Sequence, residues 1–295
     1  MIRYALPDMS KRLSLNLMFA EMARTAPELF LEDIRLDSVY GNFPGCIMNG
    51  GRLISGERYS EKQINGTFDR IAEAGMIPRL TFTNLLVGPE HFGDAYANTI
   101  LKAGKARNAE VIVYSDELAD YITEHYGMKL ILSTSRPLDG VEELNRMLDR
   151  YSMVVLDYMH NKDDAFLRQV SDPTRLEVMP NELCKPDCPL RRAHYEAVSR
   201  LQLDSTAPDF ACGGETEKWD YSGRTAQSRT ILGNDDVRRL NSTYGIEHFK
   251  IVGRNGPLNY YTESYLYYLI RPEFHGTVYK IMKNKIEQGQ GEGWL

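Results

Sequence analysis

Apolar positions along the chain switch repeatedly between a period of two and a period near 3.6, so strands and helices alternate. Ile34 to Tyr40 predicts a strand, and Ser60 to Ala74 predicts a helix that closes at Gly75. Met76 to Asn84 predicts the next strand, with Arg79, Thr81 and Thr83 on one face. Helix Tyr96 to Ala106, strand Glu110 to Tyr114, helix Glu117 to Tyr126 and strand Lys129 to Ser133 follow. Helix Val141 to Leu148, strand Met153 to Leu156, helix Asp163 to Val170 and strand Arg175 to Met179 continue the series. Short connections between alternating strands and helices favour a parallel sheet with helical crossovers. At 295 residues the chain is close to the roughly 250 of a barrel of eight strands and helices, so one α/β barrel-like domain over 1–295 is expected.

Beyond Gly213 the pattern lapses, and 213–234 reads as a loop excursion over the barrel mouth. Order resumes with helix Asp235 to Tyr244, strand Ile246 to Val252 and a helical stretch from Asn259 to Ile270. That stretch carries five tyrosines, whose spacing reads as a packing stripe. The Gly/Gln-rich 288–295 reads as a flexible tail.

No run approaches the roughly 20 apolar residues that cross a bilayer, and Met1 to Asp8 is polar, without a signal core. A cytoplasmic protein without a membrane span is therefore expected. The net charge of −6 excludes a global positive field for nucleic acid, though a local basic groove stays open. That balance favours a small-molecule substrate over bulk RNA.

The four cysteines are the strongest chemical signal. Cys184, Cys188 and Cys212 fall close together in the sequence, and Cys46 follows a predicted strand far upstream. Four thiolates suit a [4Fe-4S] cluster, and a structural zinc site with His194 replacing one thiolate stays open, as do unliganded cysteines. In a parallel barrel, sites gather at the carboxyl ends of strands. Such ends here hold Cys46, Asn84, Ser133 to Ser135, His160 and Asn181 to Cys184. Arg191 and His194, at the start of a predicted helix, are candidates for binding an anionic substrate, as are Arg52 and Arg79. His160 is the candidate proton donor or acceptor.

The segment Gly245 to Arg254, with Phe249-Lys250-Ile251-Val252-Gly253-Arg254, resembles a signature of the U32 peptidase-like family. The chain is also similar in its order of motifs: an early strand-loop cysteine, a mid-chain Asn-Glu-x-Cys, then the Gly-Arg segment. Its size and layout resemble the short members involved in oxygen-independent ubiquinone hydroxylation. The resemblance implies an incomplete or irregular TIM-like barrel with a [4Fe-4S] cluster on Cys46, Cys184, Cys188 and Cys212. It further implies hydroxylation or a related modification of a small molecule or RNA base, Lys250 and Arg254 at the mouth, and a heterodimer with a related subunit. Two alternatives are a non-catalytic, metal-stabilised partner subunit and a peptidase. For the latter, neither a GxSxG elbow nor an HExxH pair is present.

Overall fold

The computed structural model describes residues 1–51, 56–182, 184–206, 210, 228–253 and 258–288. Its elements run β1 (Ile2–Pro7), α1 (Leu13–Thr25), β2 (Ile34–Gly41), α2 (Glu61–Glu73), β3 (Ile77–Phe82) and α3 (Ala95–Lys105). Next come β4 (Glu110–Val113), α4 (Asp116–Tyr126), β5 (Leu130–Leu132), α5 (Gly140–Arg150), β6 (Met153–Val155) and α6 (Asp164–Leu167). The series ends with β7 (Leu176–Val178), α7 (Arg191–Asp204), α8 (Asn234–Tyr244), β8 (His248–Lys250), α9 (Leu258–Leu269) and α10 (His275–Gln288).

The eight strands pair in parallel in chain order, and β1 also pairs with β8, so the sheet is a closed barrel. The fold is thus TIM-barrel-like, and the barrel is complete where an incomplete or irregular one was expected. The strand that closes it lies within the stretch read only as a polar N-terminus. Tyr4, Ala5 and Leu6 are buried, while Arg3 pairs with Asp37 and Glu247 at 3.2 and 2.9 Å. A short strand bearing an arginine and ending in proline has a weak pattern alone; pairing on both sides supplies what propensity does not. Of the predicted excursion, 213–227 lies outside the described residues, and Ile231 bridges to Asn181 just before α8. Of the predicted tail, 289–295 lies outside them, and Gln288 ends α10.

Local chemistry fixes the helix ends. Ser60 caps α2 through a reciprocal box with Gln63, Asp94 caps α3, and Ser115 caps α4. Gly127 and Gly245 end α4 and α8 in the left-handed conformation, where a side chain would be strained. The outer core fills the layer between barrel and helices, with Phe19, Ile64, Phe68, Ile71, Ile100, Ile122 and Leu240 buried. On α9, Tyr261, Tyr265 and Tyr268 fall four and three residues apart and are buried; Tyr265 donates to Asn16 at 2.6 Å and Tyr268 to the Leu232 carbonyl at 2.8 Å. They are a packing stripe with satisfied hydroxyls. Among the described residues no helix is long and apolar enough to cross a membrane.

The floor of the barrel interior is charged. Arg79, 2% exposed, donates to Glu110 at 2.7 Å and to Glu177 at 2.6 Å, with Asp37 at 3.8 Å. Burial opposes the guanidinium charge, but Glu177, Glu110 and Asp37 outweigh it and hold Arg79 above its ordinary pKa. Removing the cation leaves buried carboxylates unpaired, so Arg79→Met is expected to cost roughly 3–5 kcal/mol in chemical denaturation. A loss below about 1 kcal/mol would show that the floor is not held by this pairing.

His248 lies in the same layer, paired in register with Arg3 and Glu177. Burial pushes its imidazole below the ordinary value. As pH falls below about 6.5, the unfolded chain takes up this proton before the folded one does. This histidine's effect is therefore absent above that pH and erodes stability as pH falls. His248→Asn should flatten the decline in unfolding free energy on mild acidification; parallel curves for the two proteins would refute this assignment.

Candidate functional site

Above the charged floor, at the carboxyl ends of the strands, opens a cavity of about 330 Å³. Its position follows from the fold, because the loops after parallel barrel strands converge on this end. The strand period places Thr81 and Thr83 in the cavity wall and Arg79 beneath them on the same face. Tyr40, Thr81 and Lys250 are polar positions of its lining, and Ile112, Met179 and Val252 are apolar ones. Asp8, Glu182, Ser133 to Ser135 and Asn49 complete the ring, and Arg191, His194, Tyr195 and Val198 reach it from the first turns of α7.

Lys250 joins floor and cavity. It is 8% exposed, lies 3.9 Å from Glu177 and sits 4.2 Å from the centre of the Tyr40 ring. A carboxylate and an aromatic face both favour the charged ammonium. The Tyr40 hydroxyl is anchored on the Ile251 carbonyl at 2.8 Å, which fixes the ring beneath the amine.

On the rim, Arg191 donates to Asp157 at 2.7 Å and to the Thr134 carbonyl at 3.1 Å, with its guanidinium 4.5 Å from the centre of the Tyr158 ring. Its Nε is buried with no hydrogen-bond partner among the described residues. Cys184 lines the cavity, with Tyr158, Cys188 and Arg191 as neighbours. Burial holds the Cys184 thiol above its ordinary pKa, against the opposing pull of Tyr158.

The sequence-predicted residues divide. Lys250, Arg191, His194 and Cys184 meet at the cavity. Arg52, Cys212 and Arg254 lie outside the described residues. Arg79 does not line the cavity, because three carboxylates take its charge in the floor beneath. Asn84 is a structural clamp: its amide donates to the Ile47 carbonyl at 2.7 Å and the Ser199 carbonyl at 3.0 Å, and its oxygen accepts from Leu86 N at 2.9 Å. His160 is stacked on Phe166 with ring centres 3.8 Å apart and its Nδ1 3.5 Å from Asp163, outside the cavity lining. Asp8 and Tyr195 were not legible as site residues. Asp8 holds a left-handed φ of 62°, which aspartate tolerates better than most residues, and accepts from the Tyr261 hydroxyl.

Among the described residues Cys46, Cys184 and Cys188 do not come together, and Cys212 lies outside them. Cys46 is fully buried in the outer core beside Asn42 and Met48, whereas Cys184 neighbours Tyr158, Cys188 and Arg191. Among the described residues no three His, Cys, Asp or Glu side chains are grouped to hold a metal ion. Burial pushes the Cys46 thiol up to about 12, which suppresses the nucleophilic thiolate. In the native protein, iodoacetamide should therefore modify Cys188 and Cys184 and spare Cys46 until the chain is unfolded. Peptide mass spectrometry decides the matter, and Cys46 labelling at the rate of Cys188 would contradict the burial.

A closed parallel barrel with a polar cavity at its carboxyl end defines the class as a TIM-barrel-like α/β protein. The structure is similar to the U32 peptidase Mk0906, with a TM-score of 0.54 and 12% identity over 87% of this chain and 94% of that one. Citrate synthase SbnG (TM-score 0.31, 12% identity, 98% and 94% coverage) and a Thermobaculum terrenum O-GlcNAc hydrolase (0.34, 9%, 100% and 67%) match more weakly. No protein-family model and no curated protein matches the sequence.

Proposed function

We propose that the chain is an enzyme of the U32-like kind that binds a small polar substrate in the barrel mouth. The observation that carries this reading is the convergence of Lys250, Arg191, a band of hydroxyls and the Cys184 thiol on one concave site. Lys250 would bind and orient an anionic group from the floor, held in place by Glu177 and Tyr40. Arg191, braced by Asp157 and Thr134, would close the rim over the substrate.

The finer reading is an iron-sulfur protein for oxygen-independent hydroxylation or a related modification. A cluster on four thiolates does not fit the described residues, since only Cys184 and Cys188 stand together and Cys46 lies in the outer core. The peptidase activity in the name of Mk0906 finds less support here, because burial raises the Cys184 thiol where a nucleophile needs the thiolate.

Purification without oxygen, with iron, sulfide and visible absorption measured, tests the iron-sulfur reading. If it holds, the protein is brown, Cys184→Ser and Cys188→Ser lose most of the iron, and Cys46→Ser keeps it. A colourless, iron-free protein would overturn the iron-sulfur reading and leave the small-molecule site to be judged on ligand binding.

A further inference from the structure

The cavity lining combines an apolar patch with polar positions, contributed by several strand ends. Ile112, Met179 and Val252 face it from β4 and from just beyond β7 and β8, continuing an apolar set inside the barrel that includes Ile131 and Val155. Tyr40 and Thr81 face it from β2 and β3, and Lys250 supplies a cation at the floor end. A ligand that satisfies both needs an apolar body and an anionic head.

Charge favours a head with one negative unit over one with two. Asp8 and Glu182 line the same cavity, so a dianionic phosphate would meet two carboxylates as well as Lys250. A single carboxylate meets half that repulsion and can still take a charge-assisted hydrogen bond from the ammonium. Volume limits the body, since about 330 Å³ is at the lower end of ligand pockets. Resting on the reading of this cavity as a small-molecule site, we propose that its ligand is a small monocarboxylic acid with a compact apolar body.

Calorimetric titration at neutral pH with benzoate, cyclohexanecarboxylate and isovalerate, each beside its primary amide, tests the assignment. Acid and amide share shape and differ in charge, so the pair isolates the contribution of Lys250. The acids are expected to bind at least about tenfold more tightly than the amides, the factor for one charge-assisted hydrogen bond. Lys250→Met should erase that preference, and Lys250→Arg, which keeps the charge, should restore part of it. Val198→Trp, which adds bulk from α7 into the cavity, should abolish binding of every member. Equal binding of acids and amides, both lost in Val198→Trp, would overturn the carboxylate assignment and leave the cavity as the site. Absence of binding at millimolar concentration, or binding that Val198→Trp does not affect, would overturn the cavity reading and the assignment with it.

Discussion

The barrel interior is organised around the guanidinium of Arg79, a full charge at 2% exposure that carboxylates from three other strands hold in place. An isolated charge at that depth would cost many kcal/mol, so the cluster must be kept intact as a unit. It ties β2, β3, β4 and β7 together through the centre of the barrel. It also leaves Glu177 beneath Lys250, so the floor that stabilises the barrel is the support of the cation in the cavity.

Side-chain amides do a related job at the mouth. Asn181 accepts from Val252 N at 2.6 Å and donates to its carbonyl at 3.0 Å, joining the ends of β7 and β8 where strand pairing has stopped. Asn161 donates to the Met179 and Thr230 carbonyls at 2.9 and 3.0 Å, and Asn42 to the Thr81 carbonyl at 2.8 Å. Each satisfies backbone groups that a loop would otherwise bury unpaired. The cavity walls are therefore fixed by the same residues that let the loops leave the barrel.

The cysteines separate two kinds of information. The U32-like order of motifs agrees with the fold of Mk0906, yet the loop holding Cys46 turns back on itself, with Asn49 N donating to the Cys46 carbonyl at 3.2 Å. Its thiol packs into the outer core, whereas Cys184 lines the cavity with Cys188 beside it. Sequence order alone carries no information about which side of a strand end a loop folds over.

Alternation was legible in the sequence because it is local: α2, α3, α4 and α8 begin and end within a residue or two of the predicted Ser60 to Ala74, Tyr96 to Ala106, Glu117 to Tyr126 and Asp235 to Tyr244. The two-residue period likewise put Arg79, Thr81 and Thr83 on one face of β3. Tertiary structure decided the rest. Only pairing with both β2 and β8 makes Ile2–Pro7 a strand, and only three distant carboxylates make Arg79 a structural cation while Lys250, on β8, faces the cavity. Asn84 and His160 have the residue types of a site, but their neighbours make one a clamp and the other a stacked surface ring. Residue type and period determine what a side chain can do, whereas its role depends on long-range neighbours that no local pattern encodes.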